Sequence, residues 1–232
     1  MKRAIVIGAS SGIGHEVARI LIMQGWTVGV AARRTEKLED LKNCAPERVF
    51  TAQIDVTNEK ADEALSQLAD RIGGLDLYFH AAGIGWKNPT LEPEKEMKTM
   101  QTNGLGFVRM VSEAYRYLAK HGGGHIVCIT SVAGTKGIGA IPAYSATKAM
   151  QNTYLQALEQ LAANNHLNIR FTDIRPGFVD TPLLPDSSHF PMLMKTEDVA
   201  NSIMKAIERK RHVCIIDGRW CIFTAMWRRI PN

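Results

Sequence analysis

The chain has 232 residues, 45% hydrophobic and 22% charged, with a formal net charge of +5. That length supports one well-packed core rather than two. The composition excludes disordered, collagen-like and disulfide-built classes, and so mild a positive excess does not argue for nucleic acid. Cys44, Cys128, Cys214 and Cys221 are scattered with no CxxC pair. They are expected to be buried, reduced thiols, and no metal site is expected. After Met1-Lys2-Arg3 an apolar run stops at Ile7, too short for a signal core. No apolar stretch approaches bilayer length, so the expectation is a soluble, cytoplasmic protein.

Short apolar runs alternate with longer amphipathic segments. Strands are predicted over 4–7, 27–32, 48–54, 75–80, 125–130, 168–174 and 212–216. Helices are predicted over 12–24, with Ile13, Val17, Ile20 and Leu21 on one face, and over 35–43, opened by Thr35 as N-cap. Further helices are predicted over 58–72, 95–120, 143–164 and 196–208, the one at 95–120 weakened in its middle by Gly104 and Gly106. Continuously apolar strands fit a parallel sheet covered on both faces. The rhythm implies right-handed crossovers and an α/β, doubly wound sheet of seven strands in a single domain over 1–232.

The first strand runs into Gly8-Ala-Ser-Ser-Gly12-Ile-Gly14 and then a helix. A helix N-terminus presents unpaired N–H groups and partial positive charge, and glycines let a pyrophosphate approach the backbone. A nucleotide-binding turn is therefore expected here. An NAD site usually carries an acid about 20 residues further on, bonding the ribose 2′-hydroxyl. Ala31 and Ala32 stand there instead, followed by Arg33 and Arg34, with no acid before Glu36. Arginine pairs with a 2′-phosphate that a carboxylate would repel, so NADP is favoured over NAD.

Tyr144-Ser-Ala-Thr-Lys148 opens a long helical pattern. An i, i+4 pair shares a helix face. An ammonium beside a phenol favours the phenolate, bringing it nearer the range of general acid–base work. Ser131 ends the fifth strand, where strand C-termini form a ligand crevice. Its hydroxyl could hold a substrate oxygen, or it could be a cap or turn serine.

With these motifs in order, the chain resembles a classical short-chain dehydrogenase/reductase from Ala4 to about Ile216. The resemblance implies a single-domain Rossmann fold and an oxidoreductase that moves a hydride between NADP(H) and a carbonyl or alcohol of a small molecule. Gly8, Ser10, Ser11, Gly12, Ile13 and Gly14 match the glycine motif, and Asp55-Val56-Thr57 the family's adenine-contacting element. Asn103, Ser131, Tyr144 and Lys148 match its catalytic set. Pro176-Gly177, Val179 and Thr181-Pro182 match the segment beside the nicotinamide. Where the family has Asn-Asn-Ala-Gly, this chain has His80-Ala81-Ala82-Gly83, whose Ala82 and Gly83 can still pass close to the cofactor ribose. His80 is expected to be structural. By resemblance, Tyr144 exchanges the proton, Ser131 holds the substrate oxygen, and Lys148 tunes Tyr144 and bonds the ribose. Asn103 is expected to fix a water relaying protons towards Lys148. A homodimer or homotetramer is implied, through the helices bearing Asn103 and Tyr144.

A regulator that binds NADPH without turnover is the alternative, and it would not require the whole catalytic set. An epimerase or dehydratase relative would more often bring a larger C-terminal substrate domain. The segment 183–194, with Leu183, Pro185, Pro191, Met192, Leu193 and Met194, is expected to cover an apolar, adaptable pocket. The apolar and basic tail 219–232 fits a peripheral membrane contact, a dimer contact or packing on its own core.

Overall fold

In the computed structural model, which describes residues 2–184 and 190–231, the strands are β1 (Arg3–Ile7), β2 (Thr27–Ala32), β3 (Val49–Gln53), β4 (Leu77–His80), β5 (Gly124–Ile129), β6 (Ile169–Arg175) and β7 (Val213–Ile215). They form one seven-stranded sheet of order β3-β2-β1-β4-β5-β6-β7, with every pairing parallel. The chain reverses direction across the sheet between β1 and β4, the switch point where such sheets open a ligand crevice. Ile7 is in register with both Ala31 and His80, and His80 with Cys128. The central strands therefore end at one level, and the loops that follow them meet.

The helices are α1 (Gly12–Met23), α2 (Glu39–Cys44), α3 (Ala61–Arg71), α4 (Pro93–Thr99), α5 (Phe107–Lys120), α6 (Pro142–Asn164), α7 (Thr196–Glu208) and α8 (Gly218–Trp227). Side chains alternate across a strand, and the core divides accordingly. Ala4, Val6, Val28, Val30, Leu77 and Phe79 face Val17 and Leu21 of α1 and Ile203 of α7. Ile5, Ile7, Tyr78, Ile126 and Cys128 face Leu65 and Leu68 of α3, Phe107 and Val111 of α5, and Leu155 of α6.

Four expectations change in detail. The predicted helix at 58 begins at Ala61, because the Asn58 carboxamide first closes a turn by accepting from Lys60 N at 2.8 Å. Thr35 does not cap a helix: it lies inside a tight 3₁₀ turn over Thr35–Leu38 that leads into α2. The helix predicted over 95–120 starts at Pro93, and α4 and α5 are joined by wider π turns over Met100–Gly106. Gly106 sits against the loop after β3, where a Cβ would stand 2.8 Å from Val56 Cγ2 and 3.0 Å from its carbonyl oxygen. The widened turn also leaves Asn103 fully buried, a frequent use of π geometry. Finally, the cysteines are all free, but Cys44 and Cys221 are exposed and Cys214 is half-buried, leaving Cys128 as the buried one. Cys44 ends a short surface helix and Cys221 lies on α8, beyond the sheet. No helix among the described residues is long and apolar enough to cross a membrane.

Candidate active site

The glycine turn joins β1 to α1 at the sheet's switch point. Gly8 has φ +86°, and a Cβ there would stand 2.6 Å from Ala82 N. At Gly14 a Cβ would meet the Gly8 carbonyl oxygen at 2.3 Å. The turn is thus pressed against the loop carrying Ala82 and Gly83 and tolerates no side chain at either glycine. Ser11 precedes α1 without a side-chain cap, and the first turn of the helix carries no acid. Its N–H groups remain available to an anion, as a pyrophosphate-binding turn requires. Ser10 and Ile13 are partly buried on the same turn. Thr181 closes in from the β6 side, with its Cγ2 at 3.1 Å from where a Gly12 Cβ would be.

Arg33 and Arg34 follow β2 directly and are exposed. Among the described residues neither enters an ion pair. Gln53 Nε2 donates to the Arg33 carbonyl at 3.1 Å, tying this corner to the end of β3. Beyond β3, Asp55 Oδ1 accepts from Thr57 N at 3.0 Å and from its hydroxyl at 2.7 Å, and Val56 is buried.

The proposed catalytic residues come together at the ends of β4 and β5. Tyr144 and Lys148 share a face of α6, with Lys148 Nζ 5.5 Å from the Tyr144 ring centroid. Ser131 follows β5. Its hydroxyl accepts from Ala133 N at 3.0 Å, so it is a cap serine as well as a neighbour of the Tyr144 phenol. Asn103 clamps the loop after β4: its Oδ1 accepts from Ile84 N at 2.9 Å and its Nδ2 donates to Ile84 O at 2.7 Å. A Cβ on Gly83 would lie 3.4 Å from Asn103 Oδ1 and 3.8 Å from Lys148 Nζ.

Burial pushes the Tyr144 phenol up, and the Ser131 hydroxyl draws it partly back. The direction is opposite to the one expected from Lys148 alone. The Lys148 ammonium is directed elsewhere, to Ile129 O at 3.1 Å and Gln151 Oε1 at 3.0 Å. Burial lowers Lys148 to about 8, against the pull of Asp173 and then Cys128. Asp173 is itself buried on β6, held by the Thr130 hydroxyl and by Arg175, whose Nε donates at 2.8 Å. The Asn152 amide joins them, donating to Thr130 Oγ1 at 2.9 Å and Asp173 Oδ2 at 3.2 Å in the orientation that pairs donors with acceptors.

His80 is fully buried, with Nδ1 2.8 Å from Tyr78 OH and its ring edge-on to Phe107. Burial, then the Lys148 charge, lowers it to about 3, so it stays neutral as a structural residue. Pro176 O accepts from Val132 N at 3.1 Å, binding the two loops beside Ser131. Gly177 lies under Trp220, where a Cβ would stand 2.1 Å from Trp220 Cε2. Val179 bridges to Met194, and both are buried. Of the expected pocket cover, Pro185 lies outside the described residues. Phe190 packs on Phe178 with centroids 4.6 Å apart, and Phe178 meets Trp220 at 5.4 Å.

The tail divides between its alternatives. Trp220 and Thr224 of α8 turn inward and are buried, whereas Ile222, Phe223, Met226 and Ile230 remain exposed. Lys136, in the loop after Ser131, donates to the carbonyls of Ile230 and Pro231. Part of the tail therefore packs on its own core and borders the site.

Sequence reasoning missed Gly85, Glu96, Gln151 and Asp173. A Cβ on Gly85 would meet the Tyr144 ring at 2.6 Å, so this glycine lets the loop lie on the tyrosine. Glu96 Oε2 accepts from Ala143 N at 3.1 Å, capping α6 one residue before Tyr144. For Gln151 a signal existed: it lies three residues beyond Lys148, on the same helix face.

The sequence model of the family described as short chain dehydrogenase matches residues 2–191. An uncharacterized oxidoreductase of Mycobacterium tuberculosis is 31% identical over 219 residues, covering 90% of this chain and 85% of its own length. Another, from Myxococcus xanthus, is 32% identical over 239 residues, covering 100% of this chain and 93% of its own. Glycine betaine reductase ATRR of Emericella nidulans is 33% identical over 92% of this chain, but the chain spans only 18% of that protein's length. Among solved structures, a short-chain dehydrogenase from Streptomyces avermitilis superposes with a TM-score of 0.82 at 23% identity, covering 98% of this chain and 93% of its own. A short chain dehydrogenase from Burkholderia cenocepacia, in complex with NADP, gives 0.84 at 23% identity, covering 99% and 95%. These two show the shared fold. The chain belongs to the short-chain dehydrogenase/reductase family of oxidoreductases.

Proposed function

We propose that this protein is an NADP(H)-dependent oxidoreductase that interconverts a carbonyl and an alcohol on a small, apolar substrate. The observation that carries this reading is the meeting of Tyr144, Ser131, Lys148 and Asn103 at the strand ends, beside an acid-free helix N-terminus. The residues fit the cofactor. The turn from Gly8 to Gly14 admits no Cβ at its two tightest points, leaving bare backbone for a pyrophosphate. Arg33 and Arg34 stand where a 2′-phosphate needs cations and where an acid would select NAD. Asp55 and Val56 lie towards the adenine end, and Ala82, Gly83, Pro176, Gly177, Val179 and Thr181 towards the nicotinamide end.

When bound, the nicotinamide supplies or accepts the hydride. This chain's residues do the rest. The Tyr144 phenol, pushed up by burial, is held in the protonated form that donates to a carbonyl oxygen during reduction. The Ser131 hydroxyl holds that oxygen and stabilises charge as it develops. Lys148 offers its remaining N–H to the cofactor's ribose, and Asn103 keeps the loop through Gly83 and Ile84 in place. Phe178, Met192 and Phe190, grouped after β6, favour an apolar substrate. The reading extends to action in the cytoplasm as a homodimer or homotetramer.

The test is turnover with a panel of apolar ketones and aldehydes, following NADPH absorbance. Tyr144→Phe is expected to lower kcat by 10²-fold or more, as loss of a positioned proton donor does (about 10²–10⁴-fold), while NADPH still binds. A Tyr144→Phe enzyme with unchanged kcat would overturn the assignment.

A further inference from the structure

Gln151 is completely buried in the middle of α6. A buried carboxamide is costly unless both of its ends are paired, and here both are. Nε2 donates to the main-chain carbonyl of Asn103 at 2.8 Å, and Oε1 accepts from Lys148 Nζ at 3.0 Å. The orientation is fixed by chemistry, since only the oxygen can face an ammonium and only the nitrogen a carbonyl. The amide therefore spans from the π turn of Asn103 to Lys148. The Asn103 main-chain carbonyl thus accepts from a side chain of this protein.

We propose that Gln151 is a positioning residue, a built-in bridge that fixes Lys148 to the Asn103 carbonyl. This rests on the functional reading above for its catalytic meaning, but not for its geometry. With Ile129 O and Gln151 Oε1 engaged, Lys148 keeps one N–H for the cofactor side. A carboxamide bonds at both ends but does not pass protons on as water does, so Gln151 orients Lys148 and stabilises its charge rather than carrying protons past it.

The bridge makes a specific electrostatic forecast. The titratable groups facing Lys148 are His80 on β4, Cys128 on β5, Asp173 on β6 with Arg175 paired to it, and Tyr144 on α6. None of them is altered by substituting Gln151. Gln151→Leu removes an acceptor from the ammonium and favours neutral lysine. Gln151→Glu places a carboxylate there and favours the charged form.

The experiment is a pH titration of the Lys148 ammonium by NMR in protein labelled with ¹⁵Nζ-lysine, with Lys148→Met identifying the signal. The midpoint is expected to fall by about one pH unit in Gln151→Leu, the scale of a hydrogen bond to a charged group, and to rise in Gln151→Glu. Thermal melts establish that each variant is folded. If Gln151→Leu does not fold, Gln151→Glu decides alone, with a raised midpoint supporting the bridge. Midpoints unchanged in the folded variants would overturn it and reduce Gln151 to a packing residue. Because no nucleotide is needed, failure of NADPH to bind would count against the functional reading and leave the bridge result standing. In turnover, the alkaline limb of the pH–rate profile should move in the same direction as each midpoint.

Discussion

Two buried bases, Lys148 and His80, are held off their ordinary values by the same desolvation, with opposite consequences. Lys148 is pulled back up by Asp173 and Cys128 and stays near 8. His80 has no acid beside it, and the Lys148 charge lowers it further, to about 3. Folding thus requires a neutral His80, and its contribution is complete above the ordinary histidine value of 6.5 and lost as pH falls towards 3. By linkage, at about pH 5 the loss reaches roughly 2 kcal/mol. His80→Asn does not titrate, so denaturant unfolding at neutral and mildly acidic pH should show a shallower loss than in the parent chain. An identical slope would show that other groups carry the acid sensitivity. At this scale Tyr144, Lys148, Ser131 and the glycines were legible in the sequence, because each has a distinctive spacing or sits at a strand end. Asp173 was not, since its meaning depends on Thr130, Asn152 and Lys148 arriving from elements distant in the chain.

At the scale of elements, Tyr144 is placed by how α6 begins. Pro142 occupies the first turn, where its missing N–H costs nothing, and the Glu96 carboxylate of α4 accepts from Ala143 N. The same carboxylate accepts from Asn88 Nδ2 at 2.8 Å, so one acid joins α4, α6 and the loop between β4 and α4. Glu96→Ala is expected to lower stability by about 1 kcal/mol, the usual worth of a helix cap, and to reduce kcat more than it weakens NADPH binding. Steady-state kinetics beside a denaturation curve would check this, and a loss of binding with kcat intact would contradict it. The helices and strands were largely legible, because continuous apolar runs and amphipathic periods are strong signals. The π turns were visible only as a weakness at Gly104 and Gly106. Hydrophobic period cannot distinguish a weakened helix from one widened to carry Asn103 inward.

For the molecule as a whole, the parallel order β3-β2-β1-β4-β5-β6-β7 brings the glycine turn, Asn103 and Tyr144 to one crevice. That outcome was legible because the rhythm of elements leaves few topologies. The surface was less so. Met97, Met100 and Leu105, along the run from α4 to α5, are 58%, 46% and 67% exposed, and exposed apolar side chains of this kind suit a contact between copies of the chain. Sedimentation should therefore find a dimer or tetramer that Leu105→Asp shifts towards monomer. A monomeric parent chain would refute that expectation.

Binding of NADP(H) in this crevice through Arg33 is checked by titrating the purified chain with NADPH and with NADH, then repeating both with Arg33→Ala. NADPH is expected to bind at least about tenfold more tightly than NADH, as loss of one charge-assisted phosphate contact implies, with the difference collapsing in the variant. Equal affinities unaffected by Arg33→Ala would contradict the NADP assignment, and no binding of either nucleotide would contradict the enzyme reading itself.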